Sequence, residues 1–169
     1  MTLASGPDPV EERAEKAAVA PRHRLESFFS ETAKEVLVAL ARNPNLQERD
    51  LLRLLERKDL PPEALREIAA HPQTARHYAV KLALARHPKT PRLVSLPLLK
   101  FLYLFDLMRV SQTPATPADV KIAAEEALLK RVETIARGER VSLARRGSGR
   151  VAANLVVSED RELIEAALS

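Results

Sequence analysis

The sequence predicts an all-α fold, an irregular α-solenoid of short antiparallel helices. Three observations carry that expectation. Leu, Ala, Arg and Glu dominate over β-branched and aromatic residues, and only 4 glycines occur among 169 residues. Apolar residues recur at helical spacing in one segment after another. The segments also end on a recurring stop. Leu40-Ala41-Arg42 runs into Asn43-Pro44, Ile68-Ala69-Ala70 into His71-Pro72, and Leu84-Ala85-Arg86 into His87-Pro88. Proline lacks an N–H and keeps the preceding residue out of the helical region, so each stop ends a helix. The stops lie 28 and then 16 residues apart, which makes the array irregular.

Asn and His before proline are expected to tolerate unusual backbone angles. The signature returns without proline as Ile135-Ala136-Arg137 before Gly138, and as Leu143-Ala144-Arg145 before Arg146-Gly147. There glycine is expected to stop the helix in a left-handed conformation.

Residues 1–24 have no apolar run of a secretory signal and carry three prolines with mixed charge. They are expected to be a disordered tail, with a transient helix over Glu11–Ala20. Residues 25–169 are expected to form one helical repeat domain. Glu31–Arg42 follows Ser30 as a cap candidate. Gln47–Arg57 presents Leu51, Leu52, Leu54 and Leu55, and Pro61–Ala70 opens on prolines suited to a first turn. Ala75–Arg86 follows Thr74. Thr116-Pro117-Ala118-Asp119 combines a cap, a first-turn proline and an acid, and opens a helix expected to reach Arg137. A last helix is expected after Ser158. It shows no stop before Ser169, which expects an array truncated at its C-terminus. Asn154–Val157 is the one short rival for a strand.

ALARNPNLQERDLLRLL, EIAAHPQT and ALARHPKTP resemble the bacterial leucine-rich repeat variant and related HEAT-like repeats. The resemblance covers residues 33–92 and returns weakly over 142–168. Residues 96–137 do not match the pattern. The resemblance implies a repeat scaffold and says little about activity. One founding member of the variant family carries an iron–sulfur cluster in a Cys-rich segment, and this chain has no cysteine. HEAT-like arrays also include DNA glycosylases that use Trp at the lesion, and this chain has no Trp.

LPLLKFLYLFDLMRV, residues 96–110, is the most apolar segment and holds half of the aromatics. Lys100, Asp106 and Arg109 interrupt it too closely for the roughly 20 apolar residues of a membrane span. It is expected to be a central core helix, with Phe101 and Phe105 each costing about 3–5 kcal/mol on truncation to Ala. The alternative puts part of its surface at an interface.

No catalytic constellation is evident. Cys chemistry is excluded, no Gly-rich phosphate loop is present, and His71, His77 and His87 lack metal-ligand spacing. No metal and no cofactor are expected, and the chain is not expected to be an enzyme. The formal charge of +4 hides two basic blocks. Residues 71–112 carry seven Lys/Arg against one acid, and residues 130–150 carry seven against two. Arg145, Arg146 and Arg150 flank a turn at Ser148, where a helix start would suit an anion. The opposing expectation pairs those arginines with neighbouring acids such as Glu159 and Asp160.

The expected function is a non-catalytic scaffold that binds a protein. The alternative is sequence-independent binding of nucleic acid or another polyanion through the two basic blocks. Base stacking is not expected, because the basic blocks offer no aromatics that look exposed. The absence of cysteine fits a reducing, cytoplasmic setting.

Overall fold

The structure is a computed structural model that describes residues 9–132, 134 and 136–157. Among these residues every regular element is helical, so the chain is all-α. It divides into two compact units between Leu98 and Leu99, where a single repeat domain was expected.

The first unit holds α1 (Val10–Val19), α2 (Lys34–Ala41), α3 (Glu48–Leu55), α4 (Pro62–Ala70), α5 (Pro72–Arg76), α6 (Tyr78–Arg86) and α7 (Arg92–Leu98). A 3-10 helix, Arg22–Phe28, follows α1. Helix α1 lies within the expected disordered tail. Its Ala17 is fully buried and it packs along α2, so the core reaches further toward the N-terminus than composition suggested. Residues 1–8 lie outside the described residues. Helix α2 starts at Lys34, with an extended Ala33 as its N-cap, three residues beyond the expected cap at Ser30. Helix α3 starts on a reciprocal cap between Gln47 and Asp50, and α4 has proline in its first turn.

Helices α1, α2 and α4 lie side by side, as do α3 and α6. Their leucines, Leu37, Leu40, Leu51, Leu54, Leu65 and Leu84 among them, share one buried core. At about 25 cal/mol per Å² of apolar area, each fully buried leucine contributes roughly 1.5–3 kcal/mol relative to exposure.

The proline stops join these helices at their C-terminal ends. Asn43 is fully buried, and its Nδ2 donates to Ala17 O at 2.8 Å and Ala20 O at 3.0 Å. Its Oδ1 accepts from the Asn45 N–H at 2.8 Å. His71 makes the same two bonds one helix further on. Its Nε2 donates to Asn43 O at 3.1 Å and its Nδ1 accepts from the Gln73 N–H at 3.2 Å. His87 repeats them on α3, with Nε2 donating to Arg57 O at 2.8 Å and Nδ1 accepting from the Lys89 N–H at 3.2 Å. A carbonyl can only accept and an amide N–H only donates. Both rings are therefore neutral, with the proton on Nε2. Thr74 and Thr90 complete the turn by donating to Ile68 O and Leu84 O, near the ends of the helices that precede them, α4 and α6.

This geometry corrects the reason for Asn and His. His71 and His87 sit at ordinary extended angles, φ −65° and −71°, and among the described residues no residue has positive φ. These side chains are required for their paired donor and acceptor, not for backbone tolerance. Glycine as a left-handed stop fails in the same way. Helix α9 (Ala118–Val132) ends before Arg137, and Gly138 lies in the first turn of α10 (Arg137–Arg146). Gly147 does end α10, but at φ −75°. Its role is close approach, because a Cβ there would lie 2.7 Å from Leu143 O and 2.9 Å from the Val151 side chain.

The second unit holds α8 (Leu104–Gln112), α9, α10 and a helical stretch over residues 149–157, which includes the strand rival. Helix α8 packs on α9 through Leu107, Val110, Val120, Ala124 and Leu128, all buried. The expected core helix over residues 96–110 is broken. Pro97 lies in the last turns of α7, Leu99–Phe101 forms a short 3-10 turn, and Tyr103 is extended before α8. Leu99, Leu102 and Leu107 are buried, whereas Phe101 is 50% exposed and Phe105 half-buried. The expected helix after Ser158 lies outside the described residues.

Helix α8 ends on a fourth stop that the sequence reading missed, Thr113-Pro114-Ala115-Thr116. Thr116 N–H donates to Thr113 O at 3.1 Å, matching Thr74 to His71 and Thr90 to His87. Thr116, expected as a side-chain cap, is buried with its Oγ1 unpartnered.

Replacing His71 by Ala removes two hydrogen bonds, one to the Asn43 carbonyl, which keeps the Leu46 N–H, and one from the Gln73 N–H, and should destabilise the first unit by about 1–3 kcal/mol in urea unfolding. His71→Asn should recover much of that loss, because Asn43 makes both bonds at the equivalent turn. Equal losses for the two variants would mean that ring packing, not the hydrogen-bond pair, fixes the turn. Gly147→Ala should cost about 1–3 kcal/mol through overpacking against Leu143 O and Val151, read in the same way.

Candidate functional site

The arginines at residues 145–150 belong to the end of α10 and the turn that follows. Gly147 lets the chain reverse closely enough for the next helix to start at once. Ser148 Oγ accepts from the Val151 N–H at 3.3 Å, so it caps that helix. The same hydroxyl donates to Glu125 Oε1 at 2.7 Å, from α9. Arg150 Nη1 lies 3.5 Å from Glu125 Oε2. Glu125 is the acid that meets Arg150, and the acids expected from the sequence, Glu159 and Asp160, lie outside the described residues. The carboxylate thus occupies the anion's place beside Ser148 and Arg150. Arg145 and Arg146 are exposed on the last turn of α10, where their charge also complements the negative helix end. The Arg146 carbonyl accepts from Gln112 Nε2 at 2.7 Å, which ties this turn to the end of α8.

A second feature is an open groove of about 450 Å³ on the outer face of α1, α2 and α4. Ala14, Val38 and Ala39 form its apolar floor. Lys34, Arg42 and Arg66 face Glu35, Glu63 and Glu67 along its rim. Lys34 Nζ donates to Glu63 Oε1 at 2.8 Å and Arg42 Nη2 to Glu67 Oε1 at 2.7 Å. Those hydrogen bonds hold both carboxyls below the usual glutamate range. Their contribution to stability is present above the unfolded range and fades as pH falls through the folded values. Both pairs are solvent-exposed, so that contribution is small.

The sequence reading did not find this groove. The signal for it was spacing. Lys34 precedes Glu63 by 29 residues, Arg42 precedes Glu67 by 25, and Asn43 precedes His71 by 28. Pairs separated by about one stop-to-stop step face each other across α2 and α4.

His77 lies in a separate shallow depression with Gln47, Glu48, Arg49 and Gln73. Its Nδ1 is 3.0 Å from Glu48 Oε2 and its Nε2 is 2.9 Å from Gln73 Oε1. This contact fastens the start of α3 to the α5–α6 junction. His71 and His87 are committed to backbone partners, and among the described residues no group of three or more potential metal ligands gathers.

Phe101 and Tyr103 are the exposed aromatics of the second unit, at 50% and 68%. Lys100 Nζ lies 4.9 Å from the centre of the Phe101 ring. No helix among the described residues is long and apolar enough to cross a membrane. Comparison with models of protein families, with curated proteins and with solved structures finds no match to this chain.

Changing Phe101 to Ala should alter stability by less than about 1 kcal/mol, since its ring is half in solvent. Leu102→Ala, at a fully buried neighbour, should cost about 2–5 kcal/mol. Thermal or urea unfolding of the two variants checks the contrast, and similar losses would place Phe101 in the core.

Proposed function

We propose that this chain is a non-catalytic, cytoplasmic scaffold of the irregular α-solenoid kind, HEAT-like or akin to the leucine-rich repeat variant, that binds a protein partner. The groove across α1, α2 and α4 carries this reading. It combines an apolar floor with three cations and three acids on its rim. A balanced rim favours neither a polyanion nor a polycation. It suits a polypeptide segment of mixed charge that buries small apolar side chains on Ala14, Val38 and Ala39. The stapled helix ends support the repeat reading, because the same bond pair joins α2 to α1, α4 to α2 and α6 to α3.

A photo-crosslinking residue at Arg66 should give discrete protein adducts from cell extract. Val38→Arg, which places a charge on the floor, should abolish them while helicity is retained. Adducts unchanged by Val38→Arg would remove the groove as the binding site.

The second reading is sequence-independent binding of nucleic acid or another polyanion through residues 71–112 and 130–150. Exposed Arg145 and Arg146, and exposed aromatics inside the first basic block, favour it. Changing Arg145, Arg146 and Arg150 together to Ala should lower duplex affinity and flatten its salt dependence, by about 0.9 in log–log slope for each phosphate no longer neutralised. Circular dichroism should show intact helix content. Lost helicity would assign the arginines to the fold through Glu125.

A further inference from the structure

We infer that Phe101 and Tyr103 form a stacking platform for single-stranded nucleic acid, with Lys100 and the end of α9 supplying the phosphate contacts. This rests on the second reading and gives it a site and a substrate class.

The argument starts from the broken helix. A continuous helix would spread residues 100–103 around its circumference. The 3-10 turn followed by extended Tyr103 instead buries Leu102 and turns the residues on either side of it outward. Two flat rings two residues apart are therefore presented by a backbone pinned from behind. Arg131 of α9 does the pinning, with Nη1 donating to Leu102 O at 2.5 Å and Nη2 to Lys100 O at 2.7 Å. The rings stand on a fixed ledge, so stacking against them costs little ordering entropy.

The charge around the ledge selects the ligand. Lys100 lies over the Phe101 ring, Arg131 is beneath the backbone, and exposed Lys130 sits next to it at the end of α9. From Leu99 to Phe105 the sequence has no acid, and Asp106, the next one, is half-buried in the first turn of α8. Cations beside exposed rings match a ligand that carries flat bases and phosphates together. Double-stranded nucleic acid keeps its bases stacked internally and cannot use the rings. A single strand can.

The test compares labelled oligothymidylate of about 12 nucleotides with an abasic oligomer of equal length and charge, by fluorescence anisotropy at low salt. The full chain should bind the base-bearing strand at least about fivefold more tightly. Phe101→Ala with Tyr103→Ala should remove that preference and leave abasic binding unchanged. Phe101→Tyr with Tyr103→Phe, which keeps both rings, should retain it. Bound strand should also quench tyrosine emission in the wild type, and less so in Tyr103→Phe, where only Tyr78 remains. Equal affinity for the two oligomers, or a preference that survives loss of both rings, overturns the platform and leaves the polyanion reading standing. Absence of binding to either oligomer and to duplex overturns both. Equal competition by polyglutamate and oligothymidylate would overturn the platform in favour of an acidic protein.

Discussion

A buried carbonyl at the end of a helix must find a donor, and the way this chain supplies one organises its first unit. The last carbonyls of a helix have no partner within it, and burying them unpaired costs about 1–3 kcal/mol each. Here the donor comes from a later helix. Proline forces the residue before it to be extended, which ends the helix and swings that side chain toward the neighbour. Asn43 then donates to two carbonyls at the end of α1, His71 and His87 each donate to one carbonyl just past α2 or α3, and all three accept an N–H of their own turn. Thr74 and Thr90 cover their own helix ends. One turn thus stops a helix, satisfies it and joins it to another.

The same economy shapes the surface. The buried polar side chains of these turns are fully committed to structure, so chemistry is left to exposed groups. In the first unit those groups line a groove of balanced charge. In the second unit Glu125 gathers Ser148 and Arg150, while Arg145, Arg146 and the ledge at Phe101 and Tyr103 face outward. The two units therefore present surfaces of different character, one of balanced charge over an apolar floor and one of cations beside exposed rings.

Much of the first unit was legible in the sequence. Proline stops and helical periodicity placed α2, α3, α4, the end of α6 and the start of α9, because those signals act on the local backbone, but not the break at His77 within the expected helix Ala75–Arg86. Helix α1 was legible only as a transient helix over Glu11–Ala20 in a disordered tail, since its alanines and charges gave no sign that it packs on α2. The roles of Asn43 and His71 were hidden for a similar reason: their partners lie more than twenty residues away. The apolar run over residues 96–110 misled through composition. Its hydrophobic content suggested a core helix, but Pro97 and the local turn decided which residues face inward. The part Glu125 plays was hidden because its neighbours on α9 gave no hint that a turn 23 residues later would bring Ser148 to it.

The partner of each staple is a main-chain oxygen, which every residue type possesses. Asn43 and His71 therefore recognise a helix terminus without reading its side chains. The side chains between donor and acceptor are then free to vary, while the span itself stays at 28 residues for His71 and 30 for His87. A unit of that span duplicated whole finds an acceptor waiting whatever its composition. Compensating changes in the partner helix are not required, so the architecture can lengthen or drift by small genetic steps.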